Sequence, residues 1–156
     1  MLTAQSKEAR VTFQSGSDGR INLKSDRIRF NLSGGSEANL TGDCNEVEST
    51  LSSGSDARMN VTAGTAVLTC SGASELNISG SAEVGRITAS SGSDIVATSF
   101  AVNKLQVTAS GGSDVRVWAI DELTGRANSA SSIRYKGDPP TFNTESNSAS
   151  SVRKIN

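Results

Sequence analysis

The sequence predicts an all-β fold, a single-stranded parallel β-helix of about eight coils, on three observations. A four-residue turn of the type Ser53-Gly54-Ser55-Asp56 recurs along the whole chain. Its copies lie 18 to 20 residues apart, and 19 is the commonest interval. Around each copy apolar residues alternate with polar ones, the period-two pattern of a strand with one buried face. A fixed period of this size means stacked units, each covering the apolar face of its neighbour.

The turns come first in the argument. They are Ser15-Gly16-Ser17-Asp18, Gly34-Gly35-Ser36-Glu37, Ser53-Gly54-Ser55-Asp56, Gly72-Ala73-Ser74-Glu75, Ser91-Gly92-Ser93-Asp94 and Gly111-Gly112-Ser113-Asp114. Two eroded copies follow, Ser129-Ala130-Ser131-Ser132 and Ser148-Ala149-Ser150-Ser151. A sharp corner between strands needs backbone conformations that a β-carbon disfavours, hence Gly or Ala two residues before the acid in every copy. Serine stands next in all eight, where its hydroxyl can satisfy turn amides or neighbours in adjacent coils. The turn residues assigned this structural role are Gly16, Ser17, Gly35, Ser36, Gly54, Ser55, Ser74, Gly92, Ser93, Gly112 and Ser113. Eight equivalent serines with no base beside them do not make nucleophiles.

The strands follow from columns counted from the acid. One residue after it stand Gly19, Ala38, Ala57, Leu76, Ile95, Val115, Ile133 and Val152, and three after it Ile21, Leu40, Met59, Ile78, Ala97, Val117 and Tyr135. Ahead of the turn, inward columns hold Val11, Phe30, Ser49, Leu68, Ile87, Val107 and Gly125; Phe13, Leu32, Leu51, Cys70, Ala89, Ala109 and Ala127; and Ala9, Ile28, Val47, Ala66, Gly85, Leu105, Leu123 and Phe142. Each unit therefore reads as strand, tight turn, second strand and looser return. Coils about 4.8 Å apart give a rod of roughly 35 to 40 Å. The hydrophobic content of 35% and aromatic content of 4% are thin for a globule, but a narrow column of small aliphatic side chains needs no more.

A second period lies over the first. Asp18, Asp56 and Asp94 alternate with Glu37 and Glu75, while Arg20 and Arg58 alternate with Asn39 and Asn77. Alternation is expected to let acids and bases interleave instead of stacking like charges.

A single domain over 1–156 is expected, with an incomplete first coil at 1–9, regular coils over 10–137, and a C-terminal coil and cap over 138–156, where Gly137-Asp138-Pro139-Pro140 sets a rigid turn. The first inward layer has no capping element, so further sequence upstream, or a second copy of the chain over that end, is expected. A homo-oligomer stays open on that reading.

Composition excludes several functions. The net charge is −1 with no block of Lys or Arg, which argues against nucleic acid as a partner. No apolar run is long enough for membrane insertion as a helix, and Met1-Leu2-Thr3-Ala4-Gln5-Ser6-Lys7 lacks the apolar core of an export signal. There is no histidine, which removes the commonest general base and metal ligand. Catalytic, metal and cofactor sites are all expected to be absent. Cys70 is expected to pack inward as a small apolar residue, and Cys44 falls elsewhere in the repeat, so a disulfide between them is not expected.

Two surfaces remain. The stripe of six carboxylates offers a cation-dependent polysaccharide-binding or polysaccharide-processing alternative. The other surface is an outward array of threonine and serine ahead of the turns, at Thr12, Thr50, Thr69, Thr88 and Thr108, with Ser52, Ser71, Ser90 and Ser110 beside them. Such a face suits a glycan, a protein or ice, although threonine is also simply a good residue for an exposed strand. The leading expectation is a non-enzymatic binding module. The remaining alternative is a structural spacer.

The turns, the paired period and the close at Ser131-Ser132-Ile133-Arg134-Tyr135-Lys136-Gly137-Asp138-Pro139, then Ser148-Ala149-Ser150-Ser151-Val152-Arg153-Lys154-Ile155, resemble the bacterial "putative auto-transporter adhesin, head GIN" domain family. The resemblance runs from about Arg10 onward. It implies a right-handed, pectin-lyase-like β-helix, secreted or held at the Gram-negative cell envelope. A role in cell adhesion toward a host or envelope glycan or protein is implied as well, with no catalytic residues to carry over.

Overall fold

The computed structural model describes residues 2–147 and 149–155. Its regular structure is strand throughout: β1 (Leu2–Phe13), β2 (Asp18–Leu32), β3 (Glu37–Asp43), β4 (Glu46–Leu51), β5 (Asp56–Cys70), β6 (Glu75–Ala89), β7 (Asp94–Ala109), β8 (Asp114–Ala127), β9 (Ser132–Lys136), β10 (Thr141–Ser146) and β11 (Ser151–Lys154). All pair in parallel in one sheet that winds into a β-solenoid of about eight turns. Residue Ser148 of the last turn copy lies outside the described residues.

The pairing is the repeat made physical. The acid column runs Asp18, Glu37, Asp56, Glu75, Asp94, Asp114, Ser132 and Ser151, each residue opposite the next one coil on. The inward columns stack in the same way, so the core is a continuous column from Ala9 to Ile133. Phe30 and Phe100 are its largest fully buried side chains, with Leu51, Leu68, Leu76, Ile87 and Ile95 packed along it.

The return between strands is not loose. In β5 the chain runs from Asp56 to Cys70 without leaving the sheet, and β2, β6, β7 and β8 are similarly long. Two inward columns beyond those expected hold it there: Leu23, Val61 and Phe100 in one, Ser25, Ala63, Ala82 and Val102 in the other, all buried. On this side the chain leaves the ladder between β3 and β4 and again between β9 and β10; at the first break the Asn45 carbonyl accepts from the amides of Gly64 and Thr65 at 3.0 and 2.9 Å. The register shifts on both flanks of β7, between Asn77 and Ser79 and again between Val96 and Ala101. This is the physical consequence of a 20-residue spacing from Asp94 to Asp114 followed by an 18-residue one.

In the last coil β10 lies on β8 and β11 on β9. Phe142, in an inward column, is 46% exposed there, and its ring lies 5.0 Å from that of Tyr135. Thr144 and Ser146 take the other inward positions, so this layer is more polar than those before it.

Candidate functional site

The turns form a ladder of their own. Two consecutive residues are left-handed in each of the first seven, as at Ser53 (φ 58°) and Gly54 (φ 73°), or Gly72 (φ 64°) and Ala73 (φ 63°). The first of these two positions escaped sequence reasoning, although its regular exchange of Ser15, Gly34, Ser53, Gly72, Ser91 and Gly111 was in plain view. The exchange has a steric cause: a β-carbon on Gly34 would fall 2.8 Å from the backbone nitrogen of Ser15. Turn amides reach across coils, Gly54 donating to the Gly72 carbonyl at 2.9 Å and Glu75 to the Ser55 carbonyl at 2.9 Å.

The turn serines point into the molecule. Ser36, Ser55, Ser74, Ser93, Ser113 and Ser131 are all buried. Their hydroxyls donate back to the carbonyl three residues earlier, as Ser55 to Ser52 at 2.7 Å and Ser113 to Ser110 at 2.7 Å. The same oxygens accept amides from the coil before, Ser74 from Ser55 and Ser113 from Ser93, each at 3.3 Å. Gly16, Ser17, Gly35, Gly92 and Gly112 take the equivalent places in their turns. A buried hydroxyl with both roles filled is a fastener, not a nucleophile.

The threonine array is in register. Thr12 lies opposite Asn31, then Thr50, Thr69, Thr88 and Thr108 follow one coil at a time. Thr12 is exposed and the other four threonines are half-buried, as are Ser52, Ser71, Ser90 and Ser110 beside them. The row is interrupted by Asn31 and ends at Arg126.

The acid stripe is exposed from Asp18 to Asp94, and Asp114 is half-buried. Its expected interleaving with arginine does not form as ion pairs. Among the described residues, the pairs within 4.0 Å lie instead on the strands ahead of the turn, as Arg27 with Glu46 at 3.2 Å and Arg29 with Glu8 at 3.7 Å, except for Lys154 with Asp138 in the last coil. The cause is geometric: Arg27 and Glu46 stand directly opposite across coils, whereas Arg20 faces Asn39. Among the described residues no group of three or more Cys, Asp or Glu is placed to hold a metal. Cys44 and Cys70 are free thiols, and burial pushes Cys70 up to about 12.

Comparison with known proteins agrees with this geometry. A "putative adhesin" from Parabacteroides merdae superposes with a TM-score of 0.91 at 16% identity, covering 94% of this chain and 63% of its own. A "putative adhesin" from Parabacteroides distasonis gives 0.86 at 21% identity, covering 94% and 64%. A "putative lipid binding protein" from the same species gives 0.79 at 17% identity, covering 96% and 62%. The chain thus spans less than two thirds of each of these structures, and at such identities the likeness shows the fold. No curated protein matches the chain. The family model described as "Putative auto-transporter adhesin, head GIN domain" matches residues 50–139, more than half of the sequence, and the chain belongs to that family.

Proposed function

We propose that this chain is a non-enzymatic binding module acting at the cell surface or in the envelope, and that it meets a glycan or protein partner with the threonine and serine columns of its side. The observation that carries this reading is the register of Thr50, Thr69, Thr88 and Thr108, four identical hydroxyl-bearing side chains at the coil spacing of about 4.8 Å, with a parallel row of serines beside them. Rigid, regularly spaced hydroxyls cost little ordering on binding and suit a repeating ligand. The family description and the names of two structural neighbours support an adhesive role.

The neighbour named for lipid binding does not shift this reading. Among the described residues the exposed large apolar side chains are Val84, Ile120 and Phe142, which are scattered, and the interior is filled.

The test is a glycan array and an envelope-protein pull-down with the chain and its Thr69→Leu/Thr88→Leu variant. Capture of a glycan or protein by the parent and its loss in the variant is expected. Absence of any ligand at millimolar concentration, or calcium-dependent cleavage of an acidic polysaccharide, would overturn the reading.

A further inference from the structure

Beyond the turn, the outward charges change character along the rod. In the first four coils the acid column carries four carboxylates, and the column two residues on carries Arg20 and Arg58 with asparagine between them. In the last three coils Asp114 is followed by Ser132 and Ser151, while the neighbouring column becomes Arg116, Arg134 and Arg153. These three arginines lie directly opposite one another in consecutive coils. Like charges one coil apart repel, and among the described residues no carboxylate pairs with them within 4.0 Å. The one basic side chain of β11 that is neutralised is Lys154, held by Asp138.

The register break falls at the same place. Where β7 bulges, Thr98 and Ser99 drop out of the pairing with β8, although Ser99 still pairs with Ser79 of β6, and a recess of about 560 Å³ lies beside them. Arg116, Arg134 and Lys136 line it together with Thr98, Ser99 and Ile155. Lys136 is held by the face of Trp118, with Nζ 4.4 Å from the ring centroid, so its charge is positioned without being neutralised.

From this we infer a binding site for an acidic polysaccharide, its sulfate or carboxylate groups meeting the Arg116–Arg134–Arg153 row and its hydroxyls meeting Thr98 and Ser99. Guanidinium groups bind such anions through paired N–H donors, and threonine and serine both donate to and accept from sugar hydroxyls. A concave recess lined by cations and hydroxyls fits a chain of acidic sugars better than a membrane. The carboxylates from Asp18 to Asp114 on the same side would repel any long polyanion lying along the rod, so the site takes a short stretch of acidic sugar at this end. The site is separate from the threonine columns and stands whether or not they bind.

The experiment is calorimetric titration of the chain at low salt with a heparin-derived sulfated tetrasaccharide. Parallel arms use a neutral tetrasaccharide of N-acetylglucosamine and vesicles of phosphatidylglycerol. Binding of the sulfated sugar alone is expected. It should weaken at least tenfold in Arg116→Gln/Arg134→Gln and by an intermediate factor in Arg134→Lys, which keeps charge but loses the planar fork. Thr69→Leu should leave it unchanged, which separates this site from the threonine face. Arg116 is exposed and Arg134 half-buried, both on the outward face, so thermal unfolding of their variants should match the parent; Lys136→Gln, expected to weaken binding several-fold, replaces the double variant if it does not. Equal affinity in the variants, equal binding of the neutral sugar, binding to vesicles alone, or no heat at millimolar sugar would each overturn the proposal.

Discussion

The amide of Ser55 donates to the hydroxyl oxygen of Ser74, one coil further on, at 3.3 Å, while that hydroxyl donates to the Ser71 carbonyl at 2.8 Å. One buried side chain therefore satisfies backbone groups of two coils at once. Ser74→Ala leaves both groups without that partner and should cost about 1 to 3 kcal/mol. Urea unfolding of the variant beside the parent checks it, and an unchanged midpoint would show that the ladder is dispensable.

The left-handed pair of each turn sets two unequal glycine positions. Ala73 occupies the second place at φ 63°, and nothing lies within 4 Å of a β-carbon built on its counterpart Gly54. Gly54→Ala should then cost about 1 kcal/mol through its backbone angle alone. At Gly72 a β-carbon would lie 2.9 Å from the backbone nitrogen of Ser53, so Gly72→Ala should cost about 1 to 3 kcal/mol more. Thermal melts of the two variants settle the order.

One core position opposes its column. Ser49 is fully buried between Phe30 and Leu68 in the stack, and its hydroxyl has no protein partner. Removing that hydroxyl relieves a buried polar group, so Ser49→Ala should stabilise the chain by about 1 kcal/mol. Two positions along, Leu51→Ala should destabilise by about 2 to 5 kcal/mol, as should Ile78→Ala in a separate column, because each leaves a cavity between coils. Equal melting temperatures for Ser49→Ala and Leu51→Ala would contradict the column assignment.

The thiols give the stability a pH edge. Burial pushes Cys70 from 9.0 to about 12, and burial, with Asp43 and Glu46 nearby, pushes Cys44 from 9.0 to about 11. A raised value means that the folded chain holds the proton more tightly than the unfolded one. The contribution is complete below about pH 9 and is lost as pH rises toward 11 and 12. Urea midpoints should fall between pH 8 and pH 10.5, and fall less in Cys70→Ala. In the folded chain at pH 8, Cys70 should resist thiol reagents until unfolding exposes it.

The repeat was legible because a solenoid writes its pairing into its spacing. Residues 19 apart, such as Ala57 and Leu76, are physical neighbours, and the same count places Thr69 beside Thr88. What the sequence hid was the inward columns beyond the second strand. There Gly42 and Gly80 interrupt Leu23, Val61 and Phe100, so the apolar alternation fades although the backbone stays in the ladder. The bonding role of the turn serines was legible, but the burial of Ser55 and Ser74 was not, because a hydroxyl at a turn gives no sign of which way it faces until its partners are known. The cationic recess depends on a register shift, and one extra residue before Asp114 does not reveal where the bulge forms.

The most direct measurement is a titration of the ¹⁵N-labelled chain with the strongest ligand from the array and pull-down, read by chemical-shift changes along the backbone. Binding by the lateral face predicts changes clustered at Thr50, Thr69, Thr88 and Thr108 and at the adjacent Ser52, Ser71, Ser90 and Ser110, repeating every coil. Changes confined to the acid stripe from Asp18 to Asp94, or to one end of the rod, would contradict it.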